Sequence, residues 1–130
     1  MAYESQGTDD ASQIVLEVDT PLGVPVRLDK KTHDLKVAKH GRPWAGLDQC
    51  RILFSDPELI TESQHAGMET SLMFFRKAEV TTPAVKYVRG IADFRTGEAG
   101  IIRSVHPRRD IGNTGQQVYP VVEETTEDGE

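Results

Sequence analysis

Acidic residues occupy the two ends of this chain and basic residues its middle, and that sorting limits which part can fold. Residues 1–20 hold Glu4, Asp9, Asp10, Glu17 and Asp19 with no Lys or Arg, a net of −5. Residues 123–130 hold Glu123, Glu124, Glu127, Asp128 and Glu130, again −5. All 15 Lys and Arg lie between, against the remaining 11 acids, so residues 21–122 carry +4 beneath a formal charge of −6. Terminal blocks of like charge are solvated arms, sometimes arms that dock on a partner. Residues 1–11 and 123–130 also lack the apolar surface that offsets ordering entropy. Flexible ends are therefore expected on either side of a core.

A chain of 130 residues is long enough for one domain with a real core and no metal or disulfide staples. Cys50 is the one cysteine, which excludes an internal disulfide framework. In its apolar run it is expected as a small buried hydrophobe rather than a reactive thiol. No apolar stretch approaches the ~18 residues that cross a bilayer. The N-terminus carries acids where a signal peptide needs basic and apolar regions. A cytosolic setting is expected, or a virion if the gene is viral, with no membrane partner.

Periodicity places short strands through the middle. In Ile14-Val15-Leu16-Glu17-Val18, Leu16 and Val18 share a face opposite Glu17, and Pro21-Leu22-Gly23 forms a turn. Val24, Val26 and Leu28 resume the alternation, and Pro25 favours an edge or a bulge because it lacks an amide hydrogen. Residues 29–34 read as a polar loop leading to a strand at Leu35–Lys39, a hairpin. Arg51–Phe54 reads as a strand. The Ser55/Glu58 spacing is a capping box, predicting a helix over 56–66. Residues 71–75 fit strand or buried helix. For 82–94 the helix signals (Thr82, Pro83) compete with the strand formers Val85, Tyr87 and Val88, and a hairpin with the strand at Ile101–Val105 is preferred. Val118–Val122 is a short extended segment. The expected fold is α+β and β-rich, a small antiparallel sandwich or partly open barrel with one short helix and flexible termini. Its parts are an acidic arm over 1–11, a globular domain over 12–107, and an extended C-terminal arm with the acidic tail over 108–130.

Residues that carry chemistry are sparse. His33, His40, His65 and His106 show no ligand spacing of a zinc site, although a hairpin brings His33 and His40 within reach. Neither a metal nor any other cofactor is expected. Asp93 among Ile91, Ala92 and Phe94 is a candidate for a raised pKa, against the plainer reading of an outward strand residue. Ser104 and His106 share a strand face without a third orienting group. Gly112-Asn113-Thr114-Gly115 lacks the Lys-Ser/Thr ending of a phosphate loop. Scattered basic residues and few aromatics do not favour nucleic acid as a partner.

Two segments stand out as contact candidates. The only Trp, Trp44, sits beside Arg42 among turn formers, and Trp and Arg are enriched in binding hot spots. The alternative is that Trp44 folds back over the core. Arg108 and Arg109 are adjacent and suit acidic partners. With Arg103, they are a candidate seat for the acidic tail of another copy. The expected function is a non-catalytic accessory or structural subunit that docks into a larger protein assembly, such as a virion or phage-particle component or the small subunit of a multi-subunit enzyme. Its partners would be other protein subunits. Two rivals are a small acid–base enzyme using His106, Asp93 or His40, and a regulator or inhibitor with an acidic tail.

Overall fold

Alternation of apolar and polar residues builds the first hairpin. In a computed structural model describing residues 13–40, 44, 46–63, 70–95, 98–112 and 114–120, strand β1 is Ile14–Asp19 and β2 is Pro25–Asp29. They pair antiparallel, Leu16 opposite Leu28 and Val18 opposite Val26, and all four are buried. Gly23 closes the turn at φ 85°, a left-handed conformation that costs a glycine little. Pro25 opens β2, where a missing amide hydrogen breaks no central ladder.

The expected strand at Leu35–Lys39 is instead helical. Element α1 begins as Lys30–Thr32 and continues through a π-helical turn, His33–Val37, and a 3-10 turn, Ala38–His40. Asp29 caps it, its Oδ1 accepting from the Thr32 amide at 2.7 Å. Lys30 and Asp34 pair at i,i+4, 2.9 Å apart. Leu35 and Val37, read as neighbours on one strand face, part company: Val37 is buried and Leu35 is 55% exposed. An aspartate cap and the Lys30–Asp34 pair act locally, and two alternating apolar residues are too short a pattern to oppose them.

The next two elements exchange types relative to expectation. Helix α2 is Leu47–Ser55 and strand β3 is Leu59–Glu62. Cys50, Leu53 and Phe54 stand at i, i+3 and i+4, and all are buried, which is helical rather than strand spacing. Asp56 leaves the helix at φ −140°, ψ 58°, because the residue before a proline is pushed out of the helical region. The residues of the capping box thus mark a helix end. Glu58 accepts from the Lys77 amide of the neighbouring strand at 3.3 Å. The end of the helix expected over 56–66 lies outside the described residues.

Strands β4 (Ser71–Lys77), β5 (Tyr87–Asp93), β6 (Gly100–Arg108) and β7 (Gln117–Tyr119) complete one seven-stranded sheet ordered β1-β2-β6-β5-β4-β3-β7. Residues 71–75, left open between helix and strand, lie in β4, and of residues 82–94 the part 87–93 forms β5 in the preferred hairpin with β6, with 82–86 a loop before it. The β-rich α+β architecture is as expected; the sheet is mixed and not closed, with β2 and β6 its parallel pair. β7 falls within the segment expected as a C-terminal arm. It pairs with β3, and Val118 and Tyr119 pack against the core, so the apolar part of that segment adds an edge strand. Residues 1–11 and 123–130 lie outside the described residues.

Helix α2 covers one face of the sheet, where Phe54, Phe74, Ala92, Ile102 and Val105 are fully buried. The opposite face also has buried positions: Thr61, Met73 and Phe75. The connection from β6 to β7 has to pass β5, β4 and β3, and its Ile111, Thr114 and Gly115 are half-buried. Cys50 sits inside α2 at 0% exposure, and burial pushes its thiol up to about 12. The folded protein should therefore leave a thiol-reactive dye uncoloured, and guanidinium should release one equivalent. Rapid native labelling would contradict the packing of α2.

Candidate functional site

Three groups of polar side chains are assembled on the surface of this sheet; Arg108 and Arg109 border the first, Arg103 lies in the third, and Trp44 belongs to none. The first is on the face opposite α2. Arg89 and His106 stand opposite each other across β5 and β6, with Tyr87 opposite Arg108 one step along. The Arg89 Nη2 and His106 Nε2 are in contact, and Arg89 Nε is buried without a hydrogen-bond partner among the described residues. Burial, and secondly the charge of Arg108, pull the Arg89 guanidinium below its ordinary value. Arg108 is half-buried beside this pair, and Arg109 is exposed. The Arg89–His106 pairing escapes a reading of the sequence because it depends on strand register, which no local motif sets.

The second group surrounds Asp93. The Thr70 hydroxyl donates to Asp93 Oδ1 at 2.6 Å, and the Arg95 amide donates to the same oxygen at 3.1 Å. The Arg95 guanidinium lies 3.3 Å from Oδ2. The Thr70 hydrogen bond above all, with help from Arg95 and Arg103 against some burial, holds this carboxyl below its ordinary value. That reverses the raised pKa considered from sequence: the adjacent Ala92 and Phe94 turn to the core, while Thr70 and Arg95 supply donors. Asp93 pairs with Ile101 and His106 with Arg89, four β5 positions apart, so the strand separates two of the three acid–base candidates; the side chain of the third, His40, lies outside what the structure describes. His33 is engaged by Asp34, Nδ1 to Oδ1 at 3.1 Å. Among the described residues no three His, Cys, Asp or Glu side chains gather to hold a metal ion.

A depressed carboxyl stabilises the fold at pH above its unfolded value and loses that contribution as pH falls through the folded one. Asp93 should therefore steepen unfolding below about pH 4, the ordinary aspartate range. In a urea series from pH 6 to pH 2, Asp93→Asn should flatten that acid limb. Asp34, lowered first by its hydrogen bond to Lys30, should retain its own share. An unchanged limb in the variant would contradict this reading of the Thr70–Asp93–Arg95 group.

The third group lies along α1. Lys31, Thr32, Leu35 and Lys36 line a groove with Arg103 and Ser104 of β6. Arg103 is the extra residue of a β-bulge, since Ile91 and Ala92 are consecutive while their partners are Ser104 and Ile102. Bulges re-aim side chains, and this one leaves Arg103 exposed beside two lysines. Arg108 and Arg109 lie five and six residues on, about 17 Å away along a strand, so Arg103 does not share one seat with them.

Of the contact candidates between α1 and α2 in the chain, Arg42 lies outside the described residues. Trp44 donates its indole Nε1–H to the Val80 carbonyl at 3.0 Å and packs against the core cluster. Trp44→Ala should accordingly lower stability by about 1–3 kcal/mol, chiefly through lost packing against the core cluster, read in a urea titration. A variant with parental stability would remove Trp44 from the core's cover. Comparison with protein-family models, with curated proteins and with solved structures gives no match. No helix among the described residues is long and apolar enough to cross a membrane.

Proposed function

We propose that this protein is a non-catalytic accessory or structural subunit that docks into a larger protein assembly, as a particle component or as the small subunit of a multi-subunit enzyme. The observation that carries the reading is the charge sorting: −5 in residues 1–20 and −5 in residues 123–130 around a middle of +4. Glu17 and Asp19 of the first block stand in β1, and the remaining acids of the two blocks flank the sheet in sequence, where complementary charge on neighbouring subunits can set register and partner choice. Exposed Arg109 beside half-buried Arg108 offers a bidentate donor to a carboxylate on such a neighbour. Trp44, which packs against the core cluster, serves this reading less directly than the two arginines.

The test is quantitative co-isolation of the tagged full chain from its source cells, beside an Arg108→Glu/Arg109→Glu variant. A whole-number ratio of one partner protein to this chain is expected, falling at least tenfold in the variant while its thermal midpoint stays near the parent's. Trace, variable partners, or a ratio indifferent to the reversal, would overturn docking through this corner.

A further inference from the structure

The groove between α1 and the β6 bulge presents three cations with an apolar centre. Lys31, Lys36 and Arg103 are all exposed, and no ion pair holds any of them among the described residues. Leu35, 55% exposed, lies among them. The acids nearby are already engaged: Asp34 by Lys30 and His33, and Asp93, whose charge reaches Arg103, by Thr70 and Arg95. A ligand for this surface needs several carboxylates and a short apolar stretch. The chain carries such a segment after its last strand, Val121-Val122-Glu123-Glu124-Thr125-Thr126-Glu127-Asp128-Gly129-Glu130. Two valines match Leu35, and five acids match the three cations.

The topology decides whose segment it is. β7 lies four strand positions from β6 across the sheet, about 19 Å at ordinary strand spacing. Val121 follows Tyr119, the last residue of β7, by two residues, which span at most about 7 Å. Measured along the sheet, the two valines therefore fall short of Leu35 in their own molecule, a limit that the tail of a second copy does not meet. The geometry points to the groove of Lys31, Leu35, Lys36 and Arg103 as the seat for residues 121–130 of a second copy of this chain. This rests on the assembly reading above and names one contact within it. A surface that receives a different surface of the next copy is heterologous, so the association is head-to-tail and does not close at a dimer unless the rotation forms a ring.

The experiment uses three full-length proteins: the parent, a groove reversal (Lys31→Glu/Lys36→Glu/Arg103→Glu) and a tail neutralisation (Glu123→Gln/Glu124→Gln/Glu127→Gln/Asp128→Asn/Glu130→Gln). Sedimentation equilibrium at about 50 mM salt should find the parent associating beyond dimers. Roughly tenfold weakening is expected by about 500 mM, because exposed charge pairs are screened. Each variant alone should be at least tenfold weaker. Their equimolar mixture should form a dimer and stop there, since one chain supplies only a groove and the other only a tail. Should the groove reversal not fold by circular dichroism, Lys31→Gln/Lys36→Gln takes its place. A monomeric or salt-indifferent parent overturns the proposal, as does a mixture that stays monomeric. Loss in the groove variant with none in the tail variant also overturns it, since another acidic segment would then be the occupant. Capture of a different protein at a fixed ratio from cells would survive any of these failures, so the two readings fail separately.

Discussion

Phe54→Ala is expected to destabilise the protein by about 3–5 kcal/mol, the cost of emptying a large buried aromatic site, and to lower its thermal midpoint by roughly 10–20 °C. The ring is fully buried at the end of α2 and meets Phe74 of β4 at 4.8 Å between centroids, tilted by 57°. Phe74 in turn lies 6.4 Å from Phe94. Removing Phe54 opens a cavity between helix and sheet and breaks one end of that aromatic row. Rigid strand backbone on the far side limits collapse into the space. Guanidinium unfolding followed by tryptophan fluorescence and by circular dichroism checks this. A loss below about 1 kcal/mol would mean that α2 is not seated on β4 and β5 as described.

Gly90→Val should cost about 1–3 kcal/mol or more, by overpacking at the same interface. Gly90 is central in β5, opposite Phe74 and Val105. A Cβ there would overlap Phe54 Cζ and come within 2.8 Å of Leu53 Cδ2. The missing side chain lets α2 approach the sheet; a branched one forces the helix outward or Phe54 off its rotamer. Pairing the two substitutions sharpens the test. With the ring removed, Gly90→Val should be tolerated better than in the parent, a positive coupling expected only of residues that share space. Additive losses would place Gly90 away from Phe54.

These two positions also show how far the sequence could be read. The β1–β2 hairpin was legible because Leu16, Val18, Val26 and Leu28 keep one period on a sheet with one buried face. The strand at residues 101–105 was legible from its β-branched Ile101, Ile102 and Val105, not from period, which the bulge at Arg103 breaks. Residues 47–62 were not, because Arg51-Ile52-Leu53-Phe54 is an apolar run too short to distinguish strand from helix. The spacing Cys50, Leu53, Phe54 decides it only when the whole turn is included. In the sequence Gly90 weighs only against a helix over 82–94, whereas the packing of α2 above it makes an absent side chain useful. Among the contact residues, Arg109 is exposed as a docking residue needs to be, and Trp44 is turned inward by Val80, 36 residues on. The groove of Lys31, Lys36 and Arg103 joins residues some 70 positions apart in the chain. No local pattern could announce it, because α1 was read as a loop and strand and the bulge exists only against β5.

Native mass spectrometry of the untreated complex, released intact from source cells through a tagged full-length chain, tests the central claim most directly. A subunit of an assembly predicts a discrete species well above 14.4 kDa, holding a whole number of copies of this chain with one or more stoichiometric partners and dissociating as salt rises. A spectrum of the free 14.4 kDa chain alone, at low salt and at cellular concentration, would contradict it.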